Sequence, residues 1–375
     1  MRRSLIAGAG LGRIAGVPIG VNWSVLVLAL LIAGALSEGT LPDTYPGYPN
    51  WAYDLTGVLA AVIFLVGLVA HELSHAIVAN RNGFEVRRIT LWMLGGVADV
   101  RGVSPGPGAE ARIFAVGPLV SLLVGAFVGG VAAVLALAGL TGLVTGVLTW
   151  LAVVHLAIAA LNLLPAAPLD GGRILRAALW RWRGDRTQAN LTVAWVGRGL
   201  GTAVIALGLV ALVRGSGLGA VWLALLGWFM LAAASTEEYR TNALETLSEV
   251  PVREVMTAQP QTVPPDASVA DFLDHYVIRR GHNAFPLTED GQPVALVTLD
   301  RVRQVPPERR GDTTMRQVAC PRDQFTFTTP DEPVSDLLPR LNGCAEGRAL
   351  VMSDGHLVGI VSSRDISRTI QRRAP

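Results

Sequence analysis

Residues 55–79 read LTGVLAAVIFLVGLVAHELSHAIVA. A helix needs about 20 mostly apolar residues to cross the hydrocarbon core of a membrane, and this run is long enough. It nevertheless contains His71, Glu72 and His75. Ionisable side chains within a spanning segment are costly to insert and are functional by default. The stretch therefore predicts a transmembrane helix that carries chemistry.

The pentapeptide HELSH, residues 71–75, has the spacing of a zinc site. Positions i and i+4 share one helix face, so both imidazoles can bind one Zn²⁺, with Glu72 beside them to accept a proton from water. The alternative is a pair of helix-interior histidines that are satisfied by hydrogen bonds. Three ionisable groups on one membrane turn favour zinc. We expect His71 and His75 to be metal ligands, Glu72 to be the general base, and one zinc ion to bind per chain.

A catalytic zinc site uses three protein ligands, so a third ligand is needed. The segment NLLPAAPLDGGR, residues 162–173, offers Asp170. Its two prolines and two glycines predict a broken helix, which is tolerated at membrane depth where it lines a wet cavity. The span before it runs in the same direction as the zinc helix, which brings both motifs to the same side. An aspartate in a turn before Gly-Gly is the alternative, and the upstream motif favours the ligand.

The rest of the sequence predicts a protein with several membrane spans. Hydrophobic residues make up 51% and charged residues 16%, whereas soluble domains have about 25% charged residues. The apolar segments concentrate in residues 1–236. They predict six spans, at Asn22–Leu36, Leu55–Ala79, two between Ile113 and Leu169 with a turn at Gly139–Gly142, Leu200–Val213 and Leu218–Ala234.

Arginines lie in the N-terminal segment and in the loops after spans two and four. Basic loops stay on the cytoplasmic side, so we expect a multi-pass protein of the cell membrane with both termini in the cytoplasm. The two cysteines, Cys320 and Cys344, lie in the polar C-terminal part. They are interpreted as two thiols in a reducing compartment rather than as a disulfide framework.

The sequence becomes polar from residue 251 and contains two similar segments. One begins VREVMT at residue 252 and ends VALVTLDR at residue 301, and the other begins MRQVA at residue 315 and ends VGIVSSRD at residue 365. Internal repetition at about 60 residues predicts two copies of one small α/β module. The expected organisation is a membrane domain (1–236), a linker (237–250) and two modules (251–310 and 311–375).

The N-terminal 236 residues resemble the site-2 protease family of intramembrane zinc metalloproteases. The resemblance rests on HELSH, the 162–172 segment and the order of six spans. Further matches are GRIAGVPI before span one, Leu94-Gly95-Gly96 in the first basic loop, and Gly117-Pro118 opening span three. The resemblance implies that His71, His75 and Asp170 bind zinc and that Glu72 is the base.

The resemblance also suggests roles in catalysis and in substrate binding. Asn162 would hold the scissile carbonyl or the developing oxyanion, and its alternative role is to cap a broken helix. The apolar segment Thr90–Asp99, with Leu94, Gly95 and Gly96, would pair edge to edge with an unwound substrate. The alternative is a re-entrant packing element without substrate contact. By family analogy, the expected substrates are single-span membrane proteins such as anti-sigma factors or membrane-tethered regulators.

The C-terminal repeats resemble a tandem pair of CBS domains. The family's adenine-nucleotide motif matches GIVSSRD in the second copy, with Ser362 and Asp365 as the contacts. The first copy departs from it, because Ala295 replaces the glycine and Arg301 replaces the aspartate. One nucleotide site is therefore expected, and a homodimerising pair without ligand is the alternative.

The predicted fold class is a polytopic α-helical membrane protein with a C-terminal soluble α/β tandem CBS module. The predicted function is a zinc endopeptidase within the membrane, in contact with membrane lipid and without a nucleic-acid partner. A transporter or channel regulated by CBS domains is the competing function. A transport site does not require two histidines at i and i+4, an adjacent glutamate and an aspartate at the same depth.

Overall fold

The computed structural model describes residues 9–93, 95–101, 106–215, 217–277, 283–341 and 344–373. The chain divides into two units, Met1–Glu238 and Tyr239–Pro375, called below the membrane unit and the C-terminal unit. Six helices within the described ranges are long and apolar enough to cross a membrane. Helices satisfy their own backbone polar groups, which lipid cannot do. The six-span α-helical fold predicted from the sequence is confirmed.

The first eight helices are α1 (Ser24–Ala35), α2 (Leu41–Thr44), α3 (Asn50–Arg81), α4 (Pro107–Leu137), α5 (Leu143–Asn162), α6 (Asp170–Arg183), α7 (Arg186–Val213) and α8 (Gly217–Ser248). A π-helical segment, Leu36–Thr40, joins α1 to α2. The spanning helices are α1 continued through α2, α3, α4, α5, α7 and α8.

Several helices are longer than the predicted spans. The first continues to Thr44, and α4 begins at Pro107, so Gly117 and Pro118 lie inside α4 and do not open it. The predicted linker, residues 237–250, is helical as far as Ser248. Hydropathy marks only the part of a helix that matches hydrocarbon, whereas backbone hydrogen bonding continues through its polar ends.

Helix α6 was not predicted, because its arginines were interpreted as a basic loop. It has 14 residues and is therefore too short to span a bilayer. Gly184 ends it in the left-handed conformation, with φ of 77°. Asp185 then caps α7 by accepting a hydrogen bond from the Gln188 backbone N at 3.0 Å. The zinc-ligand candidate Asp170 is the first residue of α6.

The two segments that flank the first two spans form one sheet. Its strands are β1 (Ala9–Ile14), β2 (Val17–Val21), β3 (Glu85–Trp92) and β4 (Gly95–Arg101), in that spatial order. Strands β1 and β2 form one hairpin, β3 and β4 form another, and β2 pairs in parallel with β3. Buried side chains of β2 and β3 pack against the last turns of α3. Strand β4 is therefore an edge strand next to the HELSH helix.

The described residues of the C-terminal unit form two sheets. The first has the order β5 (Thr257–Ala258), β11 (His356–Ser362), β10 (Arg348–Ser353), β9 (Thr326–Thr328), and the second β6 (Ala284–Glu289), β7 (Gln292–Thr298), β8 (Cys320–Pro321). Its helices are α9 (Val269–Phe272), α10 (Leu299–Arg303), α11 (Met315–Val318), α12 (Val334–Leu337) and α13 (Ser363–Arg373). The predicted α/β repeat is confirmed.

Each repeat contributes its first short strand to the sheet of the other repeat. Strand β5 pairs with β11, and β8 pairs with β7. The described residues form three apolar cores here. One contains Phe272 and Phe285, another contains Leu337 and Val361, and a third brings Leu296 of the first repeat together with Leu350 of the second. The two repeats are therefore connected by backbone hydrogen bonds as well as by side-chain packing.

The prediction of two separate thiols is wrong for this structure. Cys320 and Cys344 form a disulfide, with Cα atoms 5.7 Å apart. Cys320 lies in the exchanged strand β8, and Cys344 lies in the loop before β10. The exchange brings together two positions that are 24 residues apart in the chain, and no local pattern in the sequence signals it.

Candidate metal centre

The end of α3 and the start of α6 bring three ionisable side chains together. His71 and His75 lie on one face of α3, with their Nε2 atoms 3.2 Å apart. Asp170 Oδ2 lies 3.3 Å from each of these nitrogens. His71 is 4% exposed and Asp170 has a side-chain exposure of 15%. The result is a nearly equilateral triangle of potential ligand atoms, which we call the ligand triangle.

Both imidazoles are held by α4 through their other ring nitrogen. His75 Nδ1 lies 2.6 Å from the Ile113 carbonyl oxygen. A carbonyl can only accept, so Nδ1 carries the proton and Nε2 presents a lone pair toward the triangle. His71 Nδ1 lies 2.8 Å from Ser121 Oγ. Ser121 is buried, with 1% of the residue exposed. Such outer hydrogen bonds fix the ring orientation and the tautomer of metal-binding histidines.

Gly117 of α4 lies directly against the triangle. A Cβ atom at this position would be 2.2 Å from His75 Nε2 and 2.7 Å from His71 Nε2. Both distances are far below van der Waals contact, so a side chain here would displace the imidazoles. Glycine at position 117 leaves room for both rings.

Glu72 points to the edge strand of the sheet. Its Oε1 accepts a hydrogen bond from the Gly96 backbone N at 2.8 Å. A Cβ atom on Gly96 would be 2.5 Å from the Glu72 carboxyl carbon. Gly95 and Gly96 therefore contact the candidate base, whereas Leu94 lies outside the residues that the structure describes.

The four ionisable residues of the motifs line one cavity of about 660 Å³. Its wall includes Asn162, the last residue of α5, and apolar side chains of α3, α5 and α8. Within the described ranges the Asn162 amide has no hydrogen-bond partner, although a helix-capping role would need one. Asn162 lines the same cavity as the ligand triangle, and its amide is not used to cap α5.

His155 lies near this site but outside the triangle. It is 1% exposed, stacks on Phe64 with 5.9 Å between ring centroids, and fits against Gly67. Neither of its ring nitrogens has a hydrogen-bond partner among the described residues. Among the described residues, His155 is therefore held by packing alone.

The donor atoms of the triangle fit a zinc ion. Zinc binds histidine nitrogen at about 2.0–2.1 Å and carboxylate oxygen at about 2.0–2.2 Å, which places two tetrahedral ligands about 3.4 Å apart. The observed separations are 3.2–3.3 Å. Two imidazoles and one carboxylate are also a known catalytic donor set, which leaves the fourth position open.

Comparison with known proteins identifies the family. A family model described as Peptidase family M50 matches residues 59–141 and 138–206. A Mycobacterium tuberculosis protein, named as a candidate zinc metalloprotease, Rip3, is 43% identical over 362 residues, or 96% of this chain and 92% of that protein. The chain belongs to peptidase family M50. A zinc metalloprotease of Methanocaldococcus jannaschii is 28% identical over 96% of this M50 chain and 94% of its own length.

One solved structure and a second family model also match parts of the M50 chain. A site-2 protease from Methanocaldococcus jannaschii is 26% identical, covers 62% of this chain and 95% of its own, and has a TM-score of 0.42. A CBS domain model matches residues 252–308 and 315–372. The predicted resemblance to site-2 proteases with tandem CBS domains is confirmed.

The predicted nucleotide contacts lie at the start of α13. Asp365 Oδ2 accepts hydrogen bonds from the Ser362 backbone N at 3.1 Å and from Ser362 Oγ at 2.5 Å. The Asp365 backbone N lies 3.4 Å from Ser362 Oγ. This reciprocal arrangement is a capping box, so the two side chains already satisfy each other. The corresponding Thr298 of the first copy is 1% exposed, and its hydroxyl has no partner in the described part of the chain.

Sequence analysis missed the residues that support the triangle. Ser121, the Ile113 carbonyl and Glu110 all belong to α4, and only the tertiary fold places them near α3 and α6. A signal was present for Glu110, since an acidic residue in an apolar spanning helix is costly unless it is paired or functional.

Proposed function

We propose that this M50 chain is an intramembrane zinc endopeptidase that cleaves other membrane proteins. The observation that carries the proposal is the ligand triangle at the wall of a large cavity that also contains Glu72. His71, His75 and Asp170 would hold the metal. The triangle favours a hydrolase over a transporter, because it leaves one coordination position for water or substrate.

The proposed chemistry assigns a separate task to each side chain. Bound zinc supplies Lewis acidity, which activates water and polarises the scissile carbonyl. Glu72 accepts the proton on Oε2, because Oε1 is already held by the Gly96 N–H. Asn162 donates its amide N–H to the carbonyl oxygen as negative charge develops there, the role of an oxyanion-hole donor. His71 and His75 keep their orientation through Ser121 and Ile113.

The proposed substrate is an unwound segment of a single-span membrane protein, of the anti-sigma-factor or membrane-tethered regulator type. A spanning helix satisfies its own carbonyls, so it must open before attack. Strand β4 supports an edge-to-edge mode, because β3 is its only strand partner among the described residues and it adjoins Glu72 at Gly96. Gly95 and Gly96 would then lie beside the substrate backbone, together with Leu94.

The proposed orientation places both termini and the ligand triangle toward the cytoplasm. It rests on the arginine-rich segments at the N-terminus, after α3 and in α6. We also propose that the CBS pair dimerises and binds one adenine nucleotide through Ser362 and Asp365. The intact GIVSSRD motif supports one site, and the buried Thr298 together with Arg301 in place of the aspartate makes a second site unfavourable.

The test is co-expression of the full-length chain with candidate single-span substrates. Wild type is expected to cut them, and Glu72→Gln is expected to abolish cutting while keeping zinc, because Glu72 is not a ligand. Glu85→Gln is the matched control, since Glu85 is an exposed glutamate at the start of β3. Full cleavage by Glu72→Gln would overturn the proposed mechanism.

A further inference from the structure

Helix α4 is the element that sets the position of both histidines. It provides the Ile113 carbonyl for His75 and the Ser121 hydroxyl for His71. Gly117, between these two positions, lies against both Nε2 atoms. The orientation of two of the three ligand candidates is therefore determined by α4.

Asp170 lies on a different helix, α6, whose first turn is closely packed. A Cβ atom on Gly171 would be 2.4 Å from the Leu163 carbonyl oxygen, and one on Gly172 would be 2.5 Å from the carbonyl carbon of Ala166. This packing holds α6 against the turn that follows α5. It does not by itself connect α6 to α4, where the histidines are fixed.

A buried ion pair connects α6 to α4, in addition to the Arg173 guanidinium of α6, which lies 4.6 Å from the centre of the Phe114 ring of α4. Arg176 of α6 pairs with Glu110 in the first turn of α4, and their side chains are 12% and 4% exposed. Arg176 Nη1 also donates to Asn190 Oδ1 of α7 at 2.9 Å, and it lies 3.9 Å from Glu237 Oε1 of α8. Arg186 lies 3.8 Å from the second Glu110 oxygen. The Glu110 carboxylate therefore lies close to one arginine of α6 and to another at the start of α7.

This pair restricts where Asp170 can lie. The guanidinium is planar and its donors are fixed in a fork, so its partners define both distance and direction. Arg176 follows Asp170 by six residues, which is about 9 Å along a helix axis. Fixing Arg176 against α4 limits both the rotation of α6 and its displacement along its axis, and Asp170 moves with the helix.

We propose that Glu110 and Arg176 are positioning residues for the metal centre. They tie α6 to the helix that orients both histidines, and so set the distance from Asp170 to His71 and His75. The proposal rests on the proposed function, because it takes these three residues as the ligands. Neither Glu110 nor Arg176 belongs to the ligand triangle, so their effect is exerted through Asp170.

The experiment measures metal binding in the purified full-length protein. The variants are Glu110→Gln, Arg176→Gln and the double variant, with Arg181→Gln on the exposed side of α6 as the control. Zinc affinity is measured by competition with a chelator, and the visible spectrum of the cobalt-loaded protein reports ligand geometry. Removing supporting contacts typically costs about 10- to 100-fold in metal affinity.

Each single variant is expected to lose that much zinc affinity and to weaken the cobalt bands. The double variant should lose less than the two single variants together, because both changes remove the Glu110–Arg176 pair. It also leaves no uncompensated buried charge, so it carries the test if a single variant does not fold. Arg181→Gln should stay within twofold of wild type.

Wild-type zinc affinity and an unchanged cobalt spectrum in the variants would overturn the proposal, even if their melting temperatures fell. The ion pair would then stabilise the fold without positioning Asp170. Absence of zinc binding by the wild type is a different result, since it would overturn the proposed function itself.

Discussion

The membrane unit and the C-terminal unit both contain a sequence motif with a predicted ligand, but their motif residues are arranged differently. In the membrane unit, His71 and Asp170 come from helices far apart in the chain and meet at 3.3 Å. In the C-terminal unit, Ser362 and Asp365 are three residues apart and bond to each other. The contact between His71 and Asp170 does not stabilise either helix locally, whereas the bonds between Ser362 and Asp365 also cap helix α13.

The difference shows how strongly each site depends on a ligand. Three potential ligand atoms within 3.3 Å of one another bring largely buried ionisable groups together, which is costly without a metal or proton between them. A capping box stabilises its helix whether or not a nucleotide is present. Convergence of distant residues is therefore the stronger evidence for a bound group.

The largest expected effect comes from the histidines of the triangle. His71→Ala or His75→Ala should lower zinc affinity by more than about 100-fold, more than loss of an outer contact costs, and should abolish cleavage. His155→Ala is the control, because His155 is an intramembrane histidine outside the triangle. Metal analysis of the purified proteins is the measurement. Equal zinc loss in His155→Ala would remove the distinction between the triangle and its surroundings.

The second effect tests whether α4 determines the geometry of the triangle. Gly117→Ala places a methyl group 2.2 Å from His75 Nε2, so we expect about a 10- to 100-fold loss of zinc affinity, as for other supporting contacts. Gly130→Ala on the same helix is the matched control, because a Cβ there meets no atom within 4 Å. Unchanged zinc binding in Gly117→Ala would contradict the described packing.

A smaller effect separates the two roles of the capping box. Asp365→Ala should destabilise the protein by about 1 kcal/mol without nucleotide, because it removes the hydrogen bonds that the Asp365 carboxylate accepts from Ser362. If the nucleotide also binds there, ATP should raise the melting temperature of wild type and not that of Asp365→Ala. Asp312→Ala, an exposed aspartate in a turn, is the control. Equal stabilisation of all three proteins by ATP would place nucleotide binding elsewhere.

The smallest effect concerns pH in the C-terminal unit. Burial acts to raise the pKa of Glu332, but hydrogen bonds from Thr328 and Arg340 outweigh it and hold the pKa below its ordinary value. The resulting stabilisation is present above the unfolded pKa of about 4.3 and is lost as the pH falls through the folded value. Glu332→Gln should flatten this loss in melting experiments, and the exposed Glu308→Gln should not.

In the membrane unit, the sequence predicts the spans and the metal ligands better than the contacts that hold those ligands in place. Apolar runs and HELSH indicate spans and a metal pair directly, because both depend on helical periodicity. Asp170 followed from the direction of two spans. Ser121 and the Ile113 carbonyl could not be inferred, because they act only once α4 packs between α3 and α6. Glu110 was marked by its charge in an apolar helix, but its partner Arg176 depends on the same packing.

The unpredicted features of the C-terminal unit have the same cause. The segments VALVTLDR and VGIVSSRD indicate the repeat. The exchange of β5 and β8 is a long-range pairing, which no local segment indicates. The Cys320–Cys344 disulfide depends on that exchange. Helix α6 of the membrane unit was missed for a different reason. Gly184 and Asp185 are a helix stop signal and a helix start signal, but its arginines were interpreted as a basic loop.

The most direct test of the central claim is the zinc content of purified full-length wild type and Asp170→Ala. Wild type is expected to contain about one zinc per chain, since a catalytic site uses three protein ligands. Asp170→Ala should lose most of it, while Glu72→Gln should keep it, because Glu72 contacts Gly96 rather than the triangle. An Asp170→Ala protein that retains one zinc per chain at wild-type affinity would contradict the account.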